Sequence, residues 1–244
     1  MHLSHTSDQQ WAADPVYRKF QRACLAACIV LAPLVLFLGF AFDPTGGVGV
    51  PAAAKVVAAE FKAASPLQTQ LFLYFNAVTV FFFPLSFIGL GLLAMRRSPW
   101  LATMVMLFGL VGSLPFAFFV GPEAMAASLG QLGASAPVVA VWDYVRAQGT
   151  FLLLAGSWVI GHLVGYVMMG IALIRSRAIP LWAAILFIVG IPFQAAGYGM
   201  HISLLQLICF ALIFIGSIPA ALAMLKRKDE QTPVSTSEEA AQAT

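Results

Sequence analysis

The chain has 244 residues, of which 61% are hydrophobic and only 9% are charged, and its net charge is +3. Soluble domains carry roughly 25% charged residues, so a fold with so few charges cannot cover a surface exposed to water. The basic residues form short clusters and no patch, which excludes a typical nucleic-acid-binding protein. The composition therefore predicts a protein whose main solvent is a lipid bilayer.

Six apolar segments have the roughly 20 residues that a helix needs to cross a bilayer. They follow a polar N-terminal tail, residues 1–21, that lacks the pattern of a cleaved signal peptide. Asp14 followed by Pro15 indicates a helix start, since a capping carboxylate and a proline both favour the first turn. The spans, within a transmembrane domain at 22–228, are predicted at 24–42, 67–95, 100–120, 149–174, 181–196 and 202–225.

The basic residues give the orientation, because Lys and Arg are in excess on cytoplasmic loops. Only three of the thirteen basic residues, Lys55, Lys62 and Arg146, fall in the predicted extracytoplasmic segments. We therefore expect an all-α bundle of six transmembrane helices with both termini in the cytoplasm, in a plasma membrane that we take to be a bacterial inner membrane. The remaining ten of the thirteen basic residues flank the predicted cytoplasmic ends: Arg18, Lys19, Arg22, Arg96, Arg97, Arg175, Arg177, Lys226, Arg227 and Lys228.

Two long loops are then expected outside the cell, and each contains a segment suited to a short surface helix, at 52–64 and 138–148. Their aromatic residues, Phe61 and Trp142, suit the headgroup level of the membrane. The predicted loops span 43–66 and 121–148.

The fifth span is the shortest, and a turn predicted at 197–199 (Gly-Tyr-Gly) leaves almost no loop before the sixth. A re-entrant pair of helices is therefore an alternative to two full spans. The tail at 229–244 is polar, which predicts a disordered cytoplasmic appendage.

An internal repeat appears when the chain is shifted by 81 residues. It relates residues 51–120 to 132–201, and each unit reads as surface helix, inward span, basic turn and outward span. The order predicts a parallel duplication, which is weaker evidence for transport than an inverted repeat. The coinciding pairs are Phe61 and Trp142, Gly89 and Gly170, Arg96 and Arg177, Pro99 and Pro180, and Gly109 and Gly190.

Three short motifs carry a resemblance to known proteins: VPAAAKVVAAEF before the second span, MRRSPW after it, and the later echo IRSRAIPLW. On these motifs the chain resembles uncharacterised bacterial six-transmembrane-helix integral membrane proteins, over about residues 20–228. The resemblance implies the architecture and supplies no site.

The fourth span contains the most distinctive polar residue. Trp158, His162 and Tyr166 recur every four residues and therefore share one helix face. They predict one wall of a ligand pocket, and the alternative is a histidine hydrogen-bonded to a neighbouring helix. Gly161 and Gly165 form a small-xxx-small pair that predicts close approach of another backbone.

A second polar stripe, Gln194, Tyr198 and His201, follows on the fifth span. Asn76 and Gln206 are predicted at a similar depth, in the outer half of the membrane. Polar groups in lipid must find partners, so these residues predict either a ligand-binding cavity open to the outside or interhelical hydrogen bonds. The predicted rim of the cavity holds Asp43, Glu123 and Asp143.

Cofactors are not predicted. His162 and His201 differ by an estimated 15–20 Å in depth, from the helix rise, and cannot be the two ligands of one haem. A metal site is equally disfavoured, because His2 and His5 lie on the opposite side of the membrane.

Three functions remain from the sequence. The first is binding or transport of a small neutral or apolar molecule, through Asn76, Trp158, His162, Tyr166, Gln194, Tyr198 and His201. The second is a non-catalytic scaffold for a membrane protein partner. The third is an enzyme acting on lipid or another apolar substrate, with His162 or Glu123 as acid or base.

Overall fold

A computed structural model describes residues 14–46, 53–133 and 135–227, so most of the predicted N-terminal tail (with His2 and His5) and the predicted C-terminal tail lie outside the described residues. Six long apolar segments in the described part can cross a bilayer, which confirms an all-α polytopic membrane bundle. The helices are α1 (Pro15–Ala41), α2 (Ala54–Ala63), α3 (Pro66–Ala94), α4 (Pro99–Ser113), α5 (Phe116–Leu132), α6 (Ala136–Ala147), α7 (Gly149–Ser176), α8 (Leu181–Met200) and α9 (Ser203–Leu225).

Local chemistry fixes two of the helix starts. The Asp14 carboxylate accepts a hydrogen bond of 2.7 Å from the backbone N–H of Val16, which confirms the predicted start of α1 at Pro15. At α3 the hydroxyl of Ser65 accepts from the N–H of Gln68 at 3.1 Å. In both cases a capping side chain precedes a proline at the first helical position, where its missing N–H has no cost.

The third span differs from its prediction. It breaks at Pro115, which has no N–H to donate to the preceding turn, and the chain resumes as α5. The prediction that 121–148 forms a loop is wrong for its first part, because α5 continues to Leu132. Its sequence after Pro122 is rich in Ala, Met, Leu, Glu and Gln, which are strong helix formers.

The membrane helices close a ring. Each of α1, α3, α4, α7, α8 and α9 packs against the next in that order, and α9 returns to α1, while α3 also touches α7 across the interior. Large apolar side chains such as Phe81, Leu153 and Ile160 are exposed on the outside of this ring, where lipid would cover them.

A second layer lies at the end of the bundle opposite the Arg96–Arg97 turn, hereafter the outer end. There α2 packs on α5 and contacts α6, with its own apolar core. Phe61 and Trp142, which were predicted to suit the headgroup level, are 4% and 2% exposed and belong to this core. Facing helices, and not lipid headgroups, cover both rings. A β-carbon added at Gly130 on α5 would lie 2.6 Å from that of Phe61, so α2 and α5 are in close contact.

The predicted turn at 197–199 is also wrong, because these residues are helical. The chain turns instead at His201, whose φ of 55° ends α8 in the left-handed region. With 20 residues, α8 extends about 30 Å, the thickness of the hydrocarbon core. Its length therefore suits a full span and does not support the re-entrant alternative.

The helix bounds follow the internal repeat. The starts of α6, α7 and α8 fall within two residues of the positions that an 81-residue shift of α2, α3 and α4 gives. The two units diverge at their third helices, since α4 is interrupted at Pro115 and α8 continues to Met200. This interruption turns α5 towards α2, so only the first unit supplies a helix to the outer layer in this way.

The predicted glycine pair on α7 brings the backbones of α7 and α4 into direct contact. A β-carbon at Gly161 would lie 2.6 Å from the Cα of Gly112 on α4, and Gly165 lies against the Cα of Gly109. This confirms the close backbone approach predicted for Gly161 and Gly165. The crossing also fixes the rotation of α7 and so the direction of Trp158 and His162.

Candidate functional site

A cavity of about 160 Å³ lies in the outer half of the bundle, between the ring and the outer layer. A cavity of roughly 150 Å³ is known to hold a benzene molecule, so this one suits a molecule of about one ring. Its lining residues come from α1, α2, α3, α5, α7, α8 and the turn after α1: Phe40, Asp43, Thr45, Val57, Phe61, Phe72, Asn76, Phe116, Phe119, Glu123, Ala126, Phe151, Ala155, Trp158, Val159 and Tyr198.

Aromatic residues make up half of the cavity lining, and Trp158 contacts several of them. Its ring centroid lies 5.8 Å from those of Phe116 and Phe119 and 5.6 Å from that of Tyr198. Phe119 in turn meets Phe151 edge to face at 5.8 Å. These separations are within the favourable range for aromatic pairs, so neighbouring rings hold one another in place.

Three polar atoms in the wall have no hydrogen-bond partner among the described residues. They are Nδ2 of Asn76, Oε2 of Glu123 and the indole Nε1 of Trp158, and all three atoms are buried. A buried polar atom without a partner costs about 1–3 kcal/mol. Two donors and one acceptor are thus available to a molecule that enters the cavity.

Asp43 brings a second carboxylate to the wall. Its Oδ1 accepts hydrogen bonds from the backbone N–H of Thr45 at 2.9 Å and from the Thr45 hydroxyl at 2.7 Å. These bonds form across the turn that follows α1 and fix the position of the carboxylate. Asp43 and Glu123 line the same cavity. Both residues were predicted at the rim of the cavity, and both belong to its lining.

His162 lies behind Trp158 and outside the lining. It is 1% exposed, and its ring centroid is 4.7 Å from that of Trp158. Its Nδ1–H donates to the Trp158 carbonyl oxygen, which leaves Nε2 as an acceptor in the neutral ring. Gln194 approaches the same ring, yet Nε2 makes no hydrogen bond of acceptable geometry with the described residues. His162 therefore packs behind the Trp158 ring and does not face the cavity.

Gln194 and Tyr198 form a bonded pair on α8. The Gln194 amide Nε2 donates to the Tyr198 hydroxyl at 3.4 Å, and the Cys209 thiol of α9 donates to Gln194 Oε1 at 3.5 Å. Only Tyr198 reaches the cavity, while Gln194 is fully buried behind it. The pair therefore links the cavity wall to the packing of α8 on α9.

The other predicted site residues lie elsewhere. Tyr166 packs in the ring interior against Phe83, Phe87 and Phe187, with centroids 5.0–6.3 Å away. His201 is exposed on the turn after α8. Of the predicted site residues, the cavity lining contains Asn76, Trp158 and Tyr198.

Two further predicted polar residues are not part of the wall. Asp143 on α6 is exposed and forms an ion pair with Arg146, with 3.7 Å between the carboxylate oxygen and the guanidinium nitrogen. Gln206 is fully buried on α9, and both of its amide atoms lack partners among the described residues. Its side chain lies against Gly197, where a β-carbon would be 2.7 Å from its Cγ.

Most of the wall was not found from the sequence. The phenylalanines Phe40, Phe61, Phe72, Phe116, Phe119 and Phe151 come from five helices. The chain contains 20 phenylalanines, so the residue type alone does not mark these six. The available signal was the clustering of Phe116, Phe118 and Phe119 directly after Pro115.

Metal ligation has no obvious place in the described part of the chain, where no three His, Cys, Asp or Glu side chains cluster.

The fold and the cavity define a multi-pass integral membrane protein with a small aromatic cavity in one half of its bundle. No family model, no curated protein and no solved structure matches the chain.

Proposed function

We propose that the protein binds a small molecule with a largely apolar body in the outer-half cavity, as a receptor or as one step of transport. The observation that carries this proposal is an aromatic cavity of about 160 Å³ with three unpartnered buried polar atoms. Ligand pockets typically combine apolar walls with a few convergent polar groups that fix orientation. The protein would work in a plasma membrane, taken as a bacterial inner membrane, with the cavity facing outside.

The scaffold and enzyme alternatives have less support. An enzyme needs convergent acid and base groups at one cavity, and His162 does not line the cavity to which Glu123 belongs. A scaffold needs a surface for its partner, and the exposed apolar side chains of the ring are those that lipid would cover. Small-molecule binding accounts for the aromatic cavity and its unpartnered polar atoms, which neither alternative explains.

Filling the cavity tests the proposal. In purified protein in mild detergent, the neutral ring compounds cyclohexanol, phenol and indole are expected to raise Tm at millimolar concentration, because a ligand that binds only the folded state stabilises it. Ala155 lines the cavity, so Ala155→Phe should remove this shift. Ala117→Phe is the matched control, since Ala117 is exposed on α5 outside the cavity, and it should keep the shift. No shift with any probe, or an equal shift in Ala155→Phe, would contradict the proposal.

The side of the membrane on which the cavity lies gives a second prediction. A reporter enzyme that is active only outside the cytoplasm should be inactive when fused after Arg97 and active when fused after Gly133, because the basic turn stays in the cytoplasm. Reporter activity in living cells measures this directly. The reverse pattern would place the cavity on the cytoplasmic side.

A further inference from the structure

The charge of the cavity wall has one sign. Two carboxylates, Asp43 and Glu123, line it, and none of its lining residues is Lys, Arg or His. The exposed Lys55 and Lys62 lie on α2 outside this lining. A low-dielectric cavity lined by one sign of charge concentrates molecules of the opposite sign.

Of the two carboxylates, that of Glu123 has the less favourable environment. Its Oε2 is buried and has no hydrogen-bond partner among the described residues. Moving a carboxylate out of water is costly unless a proton, a hydrogen-bond donor or a cation compensates it. Asp43 lines the same cavity, so a second carboxylate increases the need for positive charge there.

The aromatic wall supplies the complementary surface. Trp158, Phe116, Phe119 and Tyr198 surround the space next to these carboxylates. The face of an aromatic ring carries negative electrostatic potential and attracts a cation within about 6 Å, and the attraction is strongest for tryptophan. Carboxylates and ring faces together favour an alkylated ammonium group over a neutral ring compound.

Two buried hydrogen-bond donors in the cavity wall require an acceptor atom on the ligand. Asn76 is 7% exposed and lines the cavity, and its Nδ2 has no partner among the described residues. The indole Nε1 of Trp158 is also buried without a partner among the described residues. A cation alone leaves both donors unpaired, so the ligand needs an oxygen acceptor such as a hydroxyl or an ether.

We propose that the ligand of this cavity is a small organic cation of the amino-alcohol class, with its ammonium group at Glu123 and Asp43 and its oxygen at Asn76 and Trp158. The proposal rests on the binding function proposed above and replaces the expected neutral ligand with a cationic one. The cavity volume of about 160 Å³ restricts the ligand to a molecule near the size of choline.

Charge-selective labelling tests both proposals at once. The native Cys24, Cys28 and Cys209 are replaced by alanine, and Ala155→Cys places one thiol in the cavity wall. Cells are treated from outside with the trimethylammonium-bearing and the sulfonate-bearing methanethiosulfonates, and each rate is normalised to that of a free thiol in solution. The cationic reagent should react faster by about tenfold, because a cavity lined by charges of one sign concentrates the opposite charge.

Glu123→Gln should remove most of this preference, and the exposed Glu60→Gln is the matched control that should retain it. Equal normalised rates in the parent, or an unchanged preference in Glu123→Gln, would overturn the cationic ligand and leave the binding function intact. If neither reagent modifies the thiol while it reacts in detergent-unfolded protein, the cavity is closed to the outside and both proposals fail.

Protection by choline tests the ligand itself. Choline should slow the labelling at a concentration about tenfold lower than dimethylbutanol, its neutral isostere with carbon in place of nitrogen. Choline should also protect better than tetramethylammonium, which has no oxygen, and Asn76→Leu should reduce this advantage of choline. Equal protection by choline and dimethylbutanol overturns the cation, and equal protection by choline and tetramethylammonium overturns the oxygen contact.

Discussion

Gly161→Ala is expected to lower the free energy of unfolding of the bundle by about 1–3 kcal/mol, the usual effect of overpacking a well-packed interior. The added methyl would lie 2.6 Å from the Cα and 2.8 Å from the N of Gly112, so α4 and α7 must move apart. Both contacts are to backbone, and no side-chain rotation relieves them. The measurement is the unfolding transition of purified protein in detergent, followed by circular dichroism.

Gly156 on the same helix provides the control. None of the described residues comes within 4 Å of a β-carbon there, so Gly156→Ala should leave stability unchanged or raise it slightly through helix propensity. Gly112→Ala should act like Gly161→Ala, since its methyl would lie 2.3 Å from the backbone nitrogen of His162. If the alanine variants at 156 and 161 have the same stability, the helices do not cross at these glycines.

The crossing also matters for the cavity. Trp158 and His162 flank Gly161 on α7, and the ring of Trp158 contacts several aromatic residues of the cavity lining. A displacement of α7 at Gly161 therefore moves Trp158 relative to Phe116 and Phe119. We infer that the glycine contact fixes the cavity in addition to stabilising the bundle.

The features that the sequence predicted well depend on local chemistry. The spans follow from apolar length, and the start of α1 from Asp14 and Pro15, because both signals act within one helix. The close contact at Gly161 was also predictable, since small residues four apart leave a groove for a neighbour. The partner glycine, Gly112, was not, because spacing along one helix does not say which helix packs there.

The third span shows where local signals mislead. Residues 121–148 contain glycines, prolines and charges, which suggest a loop, yet the segment after Pro122 consists of helix formers. Packing on α2 completes this helix, and such tertiary contact is absent from a composition pattern. The break at Pro115, which was not predicted, is what places Phe116 and Phe119 of α5 in the cavity wall.

The stripe of Trp158, His162 and Tyr166 illustrates a second limit. Residues four apart share a face, but eight residues of helix rise about 12 Å. The cavity ends at Trp158, so Tyr166 packs deep in the ring with Phe87. Periodicity gives the direction of a side chain around the helix, and the depth of a cavity depends on helices that periodicity does not describe.

Phe87 gives the second large expected effect, because its side chain fills a notch between two glycines. A β-carbon at Gly109 would lie 2.2 Å from the Cγ of Phe87, and one at Gly165 would lie 3.2 Å from the same ring. Phe83 and Tyr166 close the other sides, with centroids 5.5 Å and 5.0 Å away. The Phe87 side chain is fully buried among these groups, so Gly109→Ala should destabilise the bundle by about 1–3 kcal/mol.

A smaller side chain at 87 should make room for that methyl. Phe87→Leu alone leaves a void and is expected to destabilise the protein, but Gly109→Ala with Phe87→Leu should cost less than the two changes added, by about 0.5–3 kcal/mol of coupling. Gly109→Ala with Phe72→Leu is the control pair, since Phe72 belongs to the separate outer core and the two effects should add. Denaturant unfolding of the single and double variants measures both cycles. Additive energies for Gly109 and Phe87 would mean that the ring does not occupy the notch between α4 and α7.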